Sequence, residues 1–136
     1  MLTDEEIADY KQAGRILKQV LEKGRELVVP GANILAVLKE LESLTLELGG
    51  EVAFPAQPSI DNIAAHWTPD PDSEETFETG QLVKLDCGVH INGRIADAAI
   101  SIDLSENSKW KDLIKAAEAA RDAALPLMTP GRTLGE

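Results

Sequence analysis

The chain is 136 residues long, enough for one small domain or part of a larger one, and its 43% apolar share supports a packed core and excludes a disordered segment. With 24 acidic against 13 basic residues the net charge is −11, which argues against nucleic acid or an anionic membrane as the main partner. Cys87 is the only cysteine, so no internal disulfide can form. The N-terminus is charged throughout and no apolar run approaches membrane-spanning length, so the expectation is a soluble cytoplasmic protein.

Thr3 followed by Glu6 is a capping box, and Ile7, Tyr10, Gly14, Leu17 and Leu21 recur at helical spacing. This predicts a helix over about 4–26, with Tyr10 in the core. "VVPGAN" breaks it. A second helix follows with Ile34, Val37, Leu38, Leu41 and Leu48 on one face, ending at Gly49-Gly50. "EVAFPAQPSIDNIAAH" reads as strand and turn, its prolines confining it to an edge or a bend. Residues 67–80 form an acidic, proline-bearing loop expected to be exposed; the run from Asp70 to Glu78 lacks the spacing and central glycine of a calcium loop.

A hairpin occupies the stretch up to about Leu104, and "SKWKDLIKAAEAARDAALPLM" is a further amphipathic helix. Its expected buried face carries Trp110, Leu113, Ile114, Ala117 and Ala124. "LPLMTPGRTLGE" echoes "RELVVPGANILAV": helix, Pro-Gly, then a new helix start, with Thr133 and Glu136 as a second capping box. The expectation is a protein of two similar halves, cut where the second gets under way.

The hairpin "KLDCGVHINGRIADAA" carries the chemistry. Asn92-Gly93 between apolar runs signals a two-residue type I′ turn. That turn sets Ile91 opposite Arg94, Val89 opposite Ala96 and Gly88 opposite Asp97. Val83, Leu85, Cys87, Val89 and Ile91 then share the packed face, and Asp86, Gly88 and His90 the other. Asp97 falls on the face of Asp86, one diagonal step away, at about 7–8 Å between Cα atoms. Gly88 is expected to leave the space between them open, and Ala96, Ala98 and Ala99 to line a covered site. Two carboxylates so placed repel unless a positive charge lies between them, and a divalent cation is the natural occupant. Cys87 is a small buried hydrophobe on the packed face rather than a nucleophile, and His90 an exposed strand residue.

"FPAQPSIDNIAAHWTP" followed by "VKLDCGVHINGRIADAAISI" resembles the type II methionine aminopeptidases of archaea and eukaryotes. The resemblance runs through nearly the whole chain. It implies an α+β fold: residues 1–136 would be the N-terminal half of a pita-bread peptidase domain, an antiparallel sheet covered by amphipathic helices. It implies two divalent metal ions (cobalt, manganese, iron or zinc), with Asp86 holding one and Asp97 bridging both. It makes His66 the catalytic and substrate-contacting histidine and Phe54 a wall of the pocket for the methionine side chain. The activity implied is removal of the initiator methionine from nascent polypeptide N-termini.

The family's other three ligands, a histidine and two glutamates, belong to the second half. The 136 residues are therefore expected to be inactive alone and to need a complementary C-terminal half, with the ribosome as a further partner. The alternative is a non-catalytic peptide- or ribosome-binding module of the same fold.

Overall fold

The computed structural model describes residues 2–133 and 135. The elements run α1 (Asp4–Leu27), α2 (Ile34–Glu47), β1 (Glu51–Ile60), β2 (Leu82–Ile91), β3 (Arg94–Asp103) and α3 (Lys111–Ala124), with a short 3-10 turn at Leu125–Leu127. The strands form an antiparallel meander in the order β1-β2-β3. Helices α1 and α2 cover one face of it.

Helix α1 starts on the capping box, in which Thr3 Oγ1 accepts from Glu6 N at 3.2 Å and Glu6 Oε2 accepts from Thr3 N at 2.8 Å. Asn33 caps α2 by accepting from Ala36 N at 2.8 Å. The core lies between the helices and the alternate side chains of β2. Val83, Leu85, Cys87 and Val89 pack under Ile16, Leu17, Val20 and Leu21 of α1 and Val37, Leu38 and Leu41 of α2. The buried stripe of α1 begins only at Ala13 and ends at Gly24, so Ile7, Tyr10 and Gly14, expected on it, are exposed. The first turns of α1 reach past the sheet and meet the β2–β3 turn through polar contacts instead: Arg94 with Glu6, and Asn92 Nδ2 donating to Asp9 Oδ2 at 3.1 Å.

β1 is an edge strand, as its prolines required. Its register with β2 breaks between Val52 and Phe54 and again between Phe54 and Gln57, so Pro55 needs no ladder partner. The amide of Ala56 donates at 3.0 Å to Glu42 Oε1 of α2.

The acidic loop is mostly exposed as expected, but it carries one core residue. Phe77 is 1% exposed and belongs to the core. Its amide donates to Ala32 O at 3.0 Å and its carbonyl accepts from Gly31 N at 2.7 Å, while Glu75 O accepts from Ile34 N at 2.9 Å. The loop is thereby tied to the α1–α2 connection.

The opposite correction applies to α3. Asp103 organises its start, accepting from Ser105 N at 2.9 Å and Trp110 N at 3.0 Å. Among the described residues, however, α3 buries none of its own: Leu113 is 56% exposed, Ala117 is exposed, and Trp110, Ile114 and Ala124 are half-buried. Amphipathic spacing fixes which face is apolar, and not whether anything covers it. The Pro-Gly echo has matching geometry. Val29 N donates to Leu27 O and Ala32 N to Val29 O; Thr129 N donates to Leu127 O and Arg132 N to Thr129 O. Gly31 and Gly131 both take positive φ, 86° and 88°. Glu136, the second member of the expected capping box at Thr133, lies outside the described residues.

Candidate metal centre

The site face is the side of the sheet turned away from α1 and α2. The hairpin turn has positive φ at Asn92 (49°) and Gly93 (77°), as a type I′ turn needs. The register follows from it: Ile91 pairs with Arg94, Val89 with Ala96, Gly88 with Asp97 and Asp86 with Ala99. Residues directly paired across strands share a face, so the site face reads in rows. Phe54, Gly88 and Asp97 make one row, Gln57, Asp86 and Ala99 the next, and Ser59, Lys84 and Ser101 the one beyond.

Asp86 and Asp97 are thus diagonal neighbours. Asp86 is half-buried and Asp97 exposed. Burial pushes the Asp86 carboxyl above its usual range, and the neighbouring Asp97 charge raises it further; Lys84 and His66 oppose this. His66 lies in the loop that follows β1 and sits in a left-handed backbone conformation with φ 60°.

Phe54 stands over Gly88. A β-carbon on Gly88 would lie 2.2 Å from Phe54 Cε1, so the space expected to be open beside the aspartates is bounded by that ring. The expected lining of small residues is also partly misplaced. Ala96 and Ala98 pair with Val89 and Cys87 and so lie on the helix face; Gly88 and Ala99 remain beside the carboxylates, and the exposure of Asp97 leaves the face open rather than covered.

Two other residues fall outside the centre. The Cys87 thiol is buried on the packed face and pushed up to about 12, first by burial, which makes it inert. His90 is half-buried rather than exposed, at the far end of the face, with Nδ1 accepting from Gly93 N at 3.3 Å and Nε2 3.9 Å from Glu51 Oε2. Lys84 was not singled out from the sequence, although period-two alternation from Asp86 places it on this face. Its ammonium donates to Ala64 O, in the loop that carries His66.

The donor chemistry fits a hard divalent cation in part. Two carboxylate side chains share one face, and the Asp97 charge raises the cost of ionising Asp86, which a cation between them would relieve. Among the described residues no group of three or more His, Cys, Asp or Glu side chains comes together to hold a metal ion, so the pair is an incomplete ligand set.

The family model for metallopeptidase family M24 matches residues 8–136. The chain belongs to that family. It is 44% identical over 125 residues to a methionine aminopeptidase of Archaeoglobus fulgidus, covering 92% of this chain and 42% of that protein. It is 42% identical over 134 residues to a methionine aminopeptidase of Methanocaldococcus jannaschii, covering 96% of this chain and 45% of that protein. The chain thus spans less than half the length of these relatives. Its fold superimposes on the crystal structure of a methionine aminopeptidase from Thermotoga maritima with a TM-score of 0.82 at 23% identity, covering 96% of this chain and 55% of that one. The architecture is that of about one half of the pita-bread fold. No helix of the described residues is long and apolar enough to cross a membrane.

Proposed function

We propose that this chain supplies part of the metal centre and the substrate-contacting groups of a cytoplasmic methionine aminopeptidase. The observation that carries the reading is that Asp86, Asp97 and Phe54 share one sheet face, with the loop of His66 tied to that face through Lys84, in a chain 42–44% identical to proteins of that name. Asp86 would hold one divalent ion and Asp97 would bridge two. When bound, such ions supply Lewis acidity and a nucleophile at neutral pH. The remaining work belongs to protein groups. His66 donates to the substrate beside the scissile peptide bond, and Phe54 bounds the pocket for the methionine side chain. Gly88, with no side chain, lets the Phe54 ring approach the strand.

Two carboxylates leave two coordination spheres short, and the resemblance to the type II methionine aminopeptidases implies that a histidine and two glutamates from outside these 136 residues complete them. A complementary C-terminal half supplies them, in the same polypeptide or another. The substrates are nascent polypeptide N-termini, met at or near the ribosome. A second reading, a peptide- or ribosome-binding module without catalysis, draws on the same incomplete ligand set.

Intact mass and peptide mapping of the protein purified from its native source test both. We expect the missing ligands to co-purify, and the whole assembly to cleave Met-Ala-type peptides with manganese, cobalt, iron or zinc. Asp97→Ala should abolish tight divalent binding and turnover together; unchanged metal stoichiometry in that variant overturns the metal role. Full metal content without turnover would favour the binding module.

A further inference from the structure

We propose that Lys84 is a positioning residue: it fixes the loop that carries His66, so that strand β2 sets both Asp86 and the histidine that works beside it. The loop leaves β1 through a well-bonded turn. Asp61 N donates to Leu82 O and Leu82 N donates to Asp61 Oδ1, each at 2.9 Å, and Ile63 N donates to Ile60 O at 2.9 Å. Beyond that turn the backbone bonding stops. Among the described residues a single hydrogen bond reaches residues 64–69, from the Lys84 ammonium to Ala64 O. The next hold is Trp67, packed in part against the core.

His66 lies between these two anchors with φ 60°, a conformation that a non-glycine residue keeps only when its surroundings impose it. Lys84 is well placed to do so. It stands two residues before Asp86 on the same face of a central strand, paired with Ser59 on one side and Ser101 on the other. Its ammonium is a charged donor, which makes the stronger kind of hydrogen bond to a carbonyl. The strand beneath is immobilised by the fully buried Val83 and Leu85 that flank Lys84. The separation between His66 and the carboxylates is thus referred to one rigid element. A lysine here could instead act only as a counter-charge to Asp86, and the test separates the two roles.

The proposal rests on the reading of His66 as a substrate-contacting group, but its main readout does not. Backbone order parameters are measured by NMR on the purified protein at Ala65 and His66, with His90 and β2 as references. In Lys84→Met we expect these two amides to fall from about 0.85 to below about 0.6 while the references hold. Lys84→Arg, which keeps a donor of similar reach, should restore them. In the catalytically complete protein the methionine variant should lose about ten- to a hundredfold in kcat, as misplacing a working group does, with metal content unchanged. An ordered loop in Lys84→Met overturns the proposal. So does an ordered loop with lost metal, which would make Lys84 a counter-charge, and so does loosening throughout the sheet, which would make it merely structural. A loosened loop with full turnover would instead overturn the role given to His66, leaving the tether in place.

Discussion

Replacing Gly88 by alanine puts one methyl group where the Phe54 ring now lies. The new carbon would sit 2.2, 2.6 and 2.7 Å from Cε1, Cδ1 and Cζ of that ring, against an ordinary carbon contact of about 3.5–4.0 Å. The ring must retreat by roughly 1.3 Å or more to reach even the lower limit. Overpacking of this kind costs about 1–3 kcal/mol. Against it stands the backbone term: glycine in a strand interior is worse than alanine by about 0.5–1 kcal/mol, because it loses more freedom on folding. The net expectation is a destabilisation of about 0–2.5 kcal/mol. A double-mutant cycle separates the two terms. In a Phe54→Ala background the clash is gone and only the backbone term remains, so Gly88→Ala should become stabilising by about 0.5–1 kcal/mol. The coupling energy between the sites is then about 1–3 kcal/mol, the range expected of residues in contact. Urea midpoints at constant slope provide the assay. Equal effects of Gly88→Ala in the two backgrounds would refute the contact, and with it the view that glycine is needed so that the pocket wall can approach the strand.

Helix α1 offers a paired comparison: Gly14→Ala meets nothing within 4 Å and should stabilise by about 0.8–1 kcal/mol. Gly24→Ala gains the same propensity but drives its β-carbon to 2.3 Å from Leu85 Cδ2, so it should lose about 0–2 kcal/mol net; equal urea midpoints for the two variants would disprove the close helix–strand approach. Phe77→Ala should cost about 3–5 kcal/mol, and a loss below 1 kcal/mol would return residue 77 to the surface loop. Cys87, with its thiol pushed up to about 12, should resist alkylation at pH 8 in the native protein and react only after denaturation, as mass spectrometry would report. Glu6 is held below its ordinary 4.5, first by the Thr3 amide and then by Arg94. Its stabilisation is therefore complete above 4.5 and lost as pH falls through the lower folded value. Glu6→Gln should be less stable than the parent at neutral pH, with a gap that closes on acidification; a gap independent of pH would contradict this.

The hairpin was legible because two independent rules converged on it. Asn92-Gly93 set the turn and the apolar alternation of β2 set the face, leaving Asp86 and Asp97 one possible relation. Phe77 was not legible, because an isolated aromatic among acidic residues carries no periodicity; only the tertiary pairing of the loop with the α1–α2 connection buries it. The late start of the buried stripe on α1 was equally hidden. Ile7 and Tyr10 continue the stripe by spacing, but they lie beyond the end of the surface it packs against. In the site itself, alternation could place Gly88 beside the aspartates yet could not see Phe54, since the irregular register of β1 decides where that ring falls.

The two faces of β2 divide the work of the site. On one, Val83, Leu85 and Val89 are fully buried beneath α1 and α2, which fixes the strand without any contribution from the other side. That leaves the opposite face free to carry arrangements that do not stabilise the fold by themselves. Asp86 and Asp97 repel one another, His66 occupies a strained conformation, and Gly88 gives up packing to admit a ring. Each of these is unfavourable in isolation, and under the proposed function each would become useful when a cation and a peptide arrive. A ligand that binds only the folded arrangement stabilises it in proportion to its concentration over its dissociation constant. Under the proposed function, the repulsion held in place by a two-residue turn would therefore be recovered as affinity for the ion that relieves it. The backbone positions that carry the two carboxylates cannot separate without breaking the pairing of Asp97 with Gly88.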